Sequence, residues 1–233
     1  MATIASNLQA VRAAILESAV SAGRKADDIA LLAVSKTFPA DAVREAFAAG
    51  QRRFAESYVQ EVLPKMEALK DLGIEWHFIG PIQGNKTRPI AENFAWVHSV
   101  DRLKIAERLS EQRPAGMPPL QICLQVNISG EDSKSGVAPE EIFRLAQEVA
   151  RLPSLVLRGL MAIPAQSGEA MAQRAAFAEL RRLYERLNGQ GLALDTLSMG
   201  MSDDYPSAIA EGATMVRIGS AIFGKRNYQE GKA

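Results

Sequence analysis

Three stretches of this sequence hold residues able to do chemistry together. The first is the apolar run Ile29-Ala30-Leu31-Leu32-Ala33-Val34-Ser35, which ends on Lys36. As a buried strand it carries Lys36 to its C-terminal end, on the face shared by Leu32 and Val34. An ammonium at the mouth of an apolar core is poorly solvated, which favours the neutral, nucleophilic amine. Such an amine forms Schiff bases with carbonyl compounds. Taken alone, the run fits a strand-end lysine that snorkels into water better. The second and third stretches are Ser198-Met199-Gly200-Met201-Ser202-Asp203-Asp204 and Arg217-Ile218-Gly219-Ser220. Their small residues let backbone N–H groups approach an anion, and each precedes a short helical segment whose N-terminus favours negative charge. The hydroxyls of Ser198, Ser202 and Ser220 add donors. Asp203 and Asp204 carry the wrong sign and must point away or cap the helix.

The elements that must position these residues alternate along the chain. Residues 3 to about 22 predict an amphipathic helix, with Ile4, Leu8, Val11 and Ile15 on one face. Strands are expected near residues 29–35, 53–55, 75–80, 95–99, 121–127, 155–161, 194–199 and 214–218. Helices are expected from Pro39, over about 58–70, after a cap at Asp101, from Pro139, over about 169–187, over 206–211 and as a turn at 219–223. The segment Pro81-Ile82-Gln83-Gly84-Asn85-Lys86 is expected to be a polar loop.

Strands separated by helices imply parallel pairing, because parallel neighbours need a crossover. About eight such units in 233 residues suit a closed (β/α)₈ TIM barrel with an extra N-terminal helix, one domain over residues 1–233. An open doubly wound sheet is the alternative, but strand one lacks the Gly-rich turn that cradles a dinucleotide. Closure makes strand eight a neighbour of strand one. Lys36 then sits beside the two anion loops, at the rim where barrel enzymes carry their sites. A Schiff-base lysine next to a phosphate cradle fits pyridoxal 5′-phosphate (PLP), and it also fits a sugar-phosphate aldolase. Arg217 discriminates, because an arginine near the pyridine nitrogen opposes its protonation and weakens the ring as an electron sink.

Composition narrows the classes further. The chain is 47% hydrophobic and 23% charged, with a formal net charge of zero. Bulk electrostatics therefore argue against nucleic acid or an anionic membrane as main partner. Cys123, the single cysteine, lies in an apolar stretch and reads as a core residue. With only His77 and His98 beside it, no metal site is expected. No apolar run is long enough to span a bilayer and no signal-peptide pattern opens the chain, so the cytoplasm is the expected location.

Several blocks resemble one known family. They are Ala33-Val34-Ser35-Lys36-Thr37, Tyr58-Val59-Gln60-Glu61, Trp76-His77-Phe78-Ile79-Gly80, Gln83-Gly84-Asn85-Lys86, His98-Ser99-Val100-Asp101, Lys134-Ser135-Gly136, Leu197-Ser198-Met199-Gly200-Met201-Ser202 and Arg217-Ile218-Gly219-Ser220-Ala221-Ile222-Phe223-Gly224. In order and over nearly the whole chain, they look like the pyridoxal-phosphate homeostasis protein family (YggS/PROSC type). The resemblance implies a barrel like the N-terminal domain of bacterial alanine racemase, with PLP bound as an internal aldimine on Lys36. It implies that Ser198, Met199, Ser202, Gly219 and Ser220 line the phosphate, and that Arg217 faces the pyridine nitrogen. It also hints at a role for Lys134 in cofactor exchange. Two blocks depart from the family pattern. Ala55-Glu56-Ser57 stands where Gly-Glu-Asn is usual, and Phe38 stands where some members carry a second lysine.

Two functional classes follow. One is a PLP carrier or buffer without catalysis, which shields the aldehyde and delivers it to apo-enzymes. The other is a PLP-dependent amino-acid racemase, which needs a base on each face of the cofactor. Lys36 serves one face, and Tyr58 and Tyr205 are the candidates for the other. The chain ends soon after strand eight, leaving no room for the second domain that supplies the opposite tyrosine in racemases. The carrier reading is therefore preferred, with no catalytic residue and a monomer expected. The basic tail of Lys225, Arg226 and Lys232 is a candidate contact for a recipient or a phosphate.

Overall fold

The computed structural model describes residues 3–131, 135–165 and 167–224. Lys134 and the basic tail from Lys225 onward lie outside them. Among the described residues, eight parallel strands close into a barrel: β1 (Ala30–Val34), β2 (Arg53–Glu56), β3 (Glu75–Phe78), β4 (Trp96–Val100), β5 (Leu120–Gln125), β6 (Leu155–Met161), β7 (Thr196–Ser198) and β8 (Met215–Ile218). Each pairs with its sequence neighbour, and β8 returns to β1 with Leu32 opposite Arg217 and Ala33 opposite Ile218. That last pairing is what brings the two ends of the chain's chemistry together.

Nine α-helices cover the barrel among the described residues: α1 (Ile4–Ser21), α2 (Ala40–Ala48), α3 (Val59–Ala68), α4 (Thr87–Asn93), α5 (Leu103–Gln112), α6 (Ile142–Val149), α7 (Ala170–Gly189), α8 (Tyr205–Ala210) and α9 (Ser220–Phe223). The extra helix α1 opens on a capping box between Thr3 and Ser6 and buries Leu8, Val11, Ile15 and Ala19. It packs on α2, α8 and α9, and Asn7 Nδ2 donates to the Ile222 carbonyl at 3.0 Å. The N-terminal helix thus braces the short helix that follows β8. No helix among the described residues is long and apolar enough to cross a membrane.

Side-chain alternation divides the core in two. The larger apolar cluster lies between strands and helices. A smaller one, with Leu32, Val34, Ala55, Trp96, Cys123, Met161 and Met215, fills the barrel interior. Cys123 is fully buried there, and burial pushes its thiol up, which suits a packing role. Other interior positions are polar: His77, His98, Ser198 and Arg217, each at most 3% exposed.

Three expectations are corrected. Asp101 does not cap α5: Arg102 is the N-cap residue, and Asp101 pairs with the Arg102 guanidinium at 2.7 Å. Pro139 does not open α6, which starts at Ile142 after a turn, with Glu141 as its N-cap. The polar segment after β3 is not loop throughout. A 3₁₀ turn at Gly84–Lys86 feeds α4, whose Pro89 sits in the first turn, where no intrahelical N–H bond is lost.

Candidate functional site

A cavity of about 230 Å³ opens at the C-terminal rim of the barrel. Lys36, half-buried two residues beyond the end of β1, stands on one side. Ser202, Gly219 and Ser220 stand on another, and Arg217 lines the cavity from β8. Val34, Ile79 and Ile163 supply apolar wall. The loops after β7 and β8 meet directly: Ser220 Oγ donates to Ser202 Oγ at 3.2 Å. Lys36, Ser202, Arg217, Gly219 and Ser220 are therefore brought together, as barrel closure requires.

Local strain and local bonds hold these groups in place. Thr37, next to Lys36, has φ 70°, a left-handed conformation that a β-branched residue adopts only under constraint. Its N–H donates to Glu61 Oε2 at 3.3 Å, which pins the turn to α3. On the other side, Gly219 runs so close to β1 that a Cβ there would lie 3.1 Å from the Val34 carbonyl oxygen. Gly200, at φ 95°, turns where a Cβ would come within 2.7 Å of Ala208 Cβ. Asp204 is the N-cap residue of α8, but its side chain closes the preceding turn by accepting the Met201 N–H at 2.6 Å and makes no cap hydrogen bond to the helix. Asp203 is exposed at the cavity edge.

Ser198 and Met199 are not brought to the cavity. Met199 is fully buried in the outer core, and its N–H donates to the Met215 carbonyl at 3.1 Å. Neighbouring strand residues point to opposite faces, so Ser198 points inward and Met199 outward. Ser198 lies beneath the cavity. Arg217 Nη1 donates to its carbonyl at 2.6 Å and its Oγ at 2.9 Å, and Nη2 donates to the Ala162 carbonyl at 3.0 Å. Burial pulls the Arg217 guanidinium down to about 10, with Asp204 opposing, so it stays cationic at neutral pH. Tyr58 is 46% exposed at the N-cap of α3, and Tyr205 is half-buried at the start of α8; neither lines the cavity.

Two buried groupings escaped the sequence reading. His77 Nδ1 lies 2.9 Å from His98 Nε2, and His98 Nδ1 lies 2.9 Å from Ser198 Oγ. The only available signal was one histidine in each of two successive strands. The second grouping anchors the strand end that carries Lys36. Lys65 Nζ on α3 pairs with Glu56 Oε1 at 2.6 Å and donates to the Ser35 carbonyl at 3.0 Å. Ser35 Oγ donates to the same Glu56 oxygen at 2.7 Å. Burial raises the Glu56 carboxyl, against the pull of Lys65 and Ser35.

The fold and the rim site define a class before any particular protein. The family model of the alanine racemase N-terminal domain matches residues 1–227. Among curated proteins, the pyridoxal phosphate homeostasis protein of Pseudomonas aeruginosa is 65% identical over 98% of this chain and 98% of its own. That of Escherichia coli K12 is 52% identical over 99% of this chain and 100% of its own. The solved structure of PipY from Synechococcus elongatus with PLP bound has a TM-score of 0.84 at 39% identity, covering 95% of this chain and 100% of that one. The chain belongs to the alanine racemase N-terminal domain family and, within it, to the pyridoxal phosphate homeostasis proteins.

Proposed function

We propose that residues 1–233 form one PLP-binding barrel that holds the cofactor for intracellular homeostasis and does not turn over a substrate. The observation that carries this reading is the single cavity joining Lys36 to the paired Ser202 and Ser220 hydroxyls, with Arg217 lining it. The residues fit the group. A lysine stands where an aldehyde can be met, hydroxyls and a close-packed glycine stand where a phosphate can be met, and a cation that keeps its proton faces the space shared by both. Ligand clefts for larger molecules run to roughly 300–1,000 Å³, so about 230 Å³ suits one small cofactor. When bound, PLP supplies a reactive aldehyde and an electron-accepting ring.

In this reading Lys36 would be the Schiff-base lysine, its amine placed to meet the aldehyde that PLP supplies. Ser202, Gly219 and Ser220 hold the phosphate. Arg217, donating and unable to accept, would oppose protonation of the pyridine nitrogen and so limit electron withdrawal by the ring. Ser198 acts through Arg217, and Met199 acts through packing. The carrier reading is supported by the names of the relatives, and neither Tyr58 nor Tyr205 is among the residues that line the cavity. The protein works as a cytoplasmic monomer that passes PLP to apo-enzymes.

Purified protein is expected to be yellow, and mixing it with an apo-PLP enzyme should restore that enzyme's activity as the band declines. Free amino acids should give no sustained turnover. Rapid racemisation of any one of them would overturn the carrier reading. Gly219→Ala gives a separate check. The new methyl must displace the loop or Val34 by a few tenths of an ångström, so PLP affinity should fall several-fold while the melting temperature changes little. Unchanged affinity by absorbance titration would remove Gly219 from the phosphate cradle.

A further inference from the structure

A chain of hydrogen bonds runs through the barrel interior from the opposite rim to Arg217. Glu75 stands at the N-terminal rim, 41% exposed, where it meets Arg53 at 3.1 Å and lines a basin of about 690 Å³. Its Oε1 lies 2.9 Å from His77 Nε2. His77 to His98, His98 to Ser198 and Ser198 to Arg217 follow, each at 2.9 Å. Both histidines are at most 1% exposed and burial pulls both below the ordinary imidazole range, against Glu75 in the case of His77. The His77 hydrogen bond holds the Glu75 carboxyl below its usual range, with Arg53 adding to the effect.

The ends fix the direction of every bond. A guanidinium only donates, so Arg217 donates to Ser198 Oγ. An ionised carboxylate only accepts, so His77 carries its proton on Nε2. A neutral imidazole has one N–H, which leaves His77 Nδ1 an acceptor. His98 Nε2–H must donate to it, and the bare His98 Nδ1 then accepts the Ser198 O–H. Each interior group donates once and accepts once along the chain. The opposite polarity requires a protonated Glu75 or a buried imidazolium, both disfavoured. Without the carboxylate, His77 can switch its proton to Nδ1 and donate upward. His98 then donates from Nδ1 to Ser198 Oγ, and the serine proton is displaced toward other acceptors.

We propose that Glu75, His77, His98 and Ser198 are positioning residues for Arg217, forming a one-way relay whose polarity is set by the charge of Glu75 at the far rim. The cofactor-side readout rests on the reading of the cavity as a PLP site; the tautomer readout does not. Other charged or titratable groups facing the chain are Arg53 at Glu75, Arg158 over the Trp96 ring, and Asp204 and Cys123 near Arg217.

Nitrogen NMR of histidine-labelled, PLP-free protein tests the polarity without any substitution. Both rings are expected neutral with the proton on Nε2 at neutral pH. An Nδ1–H form of His98, or an imidazolium on either ring, would overturn the relay. Glu75→Leu should raise the Nδ1–H form of His98 from undetectable to a visible fraction, and Glu75→Gln, which can still accept from His77, should raise it less. In the loaded proteins, the pH midpoint of the visible band should shift by roughly half a pH unit in Glu75→Leu. A His98 signal and a band both unchanged by Glu75→Leu would show that the far rim is not read at Arg217. A protein that never acquires a visible band, yet shows the expected tautomers, would sink the cofactor reading and leave the relay standing.

Discussion

Lys36→Ala protein is expected to purify without the visible band of bound PLP, while keeping its fold and most of its stability. Lys36 is half-buried beyond the end of β1, so trimming it leaves β1 and its pairings to β2 and β8 intact. Its removal should cost about 1 kcal/mol or less. The groups proposed to meet the phosphate remain, so weak, reversible PLP binding should persist in an absorbance titration, with the spectrum of the free aldehyde. Lys65, the other lysine near this strand end, is committed to Glu56 and the Ser35 carbonyl and should not substitute. A Lys36→Ala protein with the same visible band as the parent would show that another amine carries the cofactor.

Lys65→Met is expected to be the most destabilising single change around the site. It leaves the Glu56 carboxylate buried with only the Ser35 hydroxyl, and breaking a buried pair from one side costs about 3–5 kcal/mol. For a chain of this size, that lowers the melting temperature by roughly 6–20 °C. The loss should depend on pH. Burial already raises the folded-state carboxyl of Glu56, and losing Lys65 removes its largest opposing influence. A group whose folded value exceeds its unfolded one takes up a proton on folding, so stability falls as pH rises through that window. The window starts at the ordinary value near 4.5 and ends at the raised folded value. Thermal unfolding should therefore show a smaller deficit at about pH 5 than at about pH 8. The double variant Glu56→Leu with Lys65→Met should recover much of the loss, because an apolar pair avoids desolvating two charges. A deficit independent of pH, with no recovery in the double variant, would mean that the pair is not the cause.

The parts of the site that were legible in the sequence are those that chain order alone dictates. Strand–helix alternation forces parallel pairing, and closure then places the residue after β1 beside the loops after β7 and β8. Lys36, Ser202, Arg217, Gly219 and Ser220 follow from that step. Ser198 and Met199 differ from the resemblance's expectation because strand alternation directs one under the cavity and the other into the outer core. Period-two reading within Leu197-Ser198-Met199 carries that information, but only once it is known which face is interior. The His77–His98 pair depends on register and on the irregular stretch of β4 between Val97 and Val100, which no local pattern reveals. Nothing in the sequence around Lys65 marks it as buried, and its partner on β2 is fixed only when α3 folds back on the barrel. The Pro139 and Asp101 signals failed for a related reason. Turn and cap residues bias where a helix begins, whereas the buried face, from Ile142 in α6 and Ile105 in α5, decides it.

The proposed PLP site rests on one lysine, Lys36, meeting the cofactor's aldehyde inside a closed barrel. Borohydride treatment of the purified, PLP-loaded protein, followed by peptide mass mapping, measures that contact directly. One reduced PLP should be fixed to the peptide containing Lys36 and to no other. Label on Lys65 or any other lysine, or no label on protein that retains its yellow colour, would contradict it.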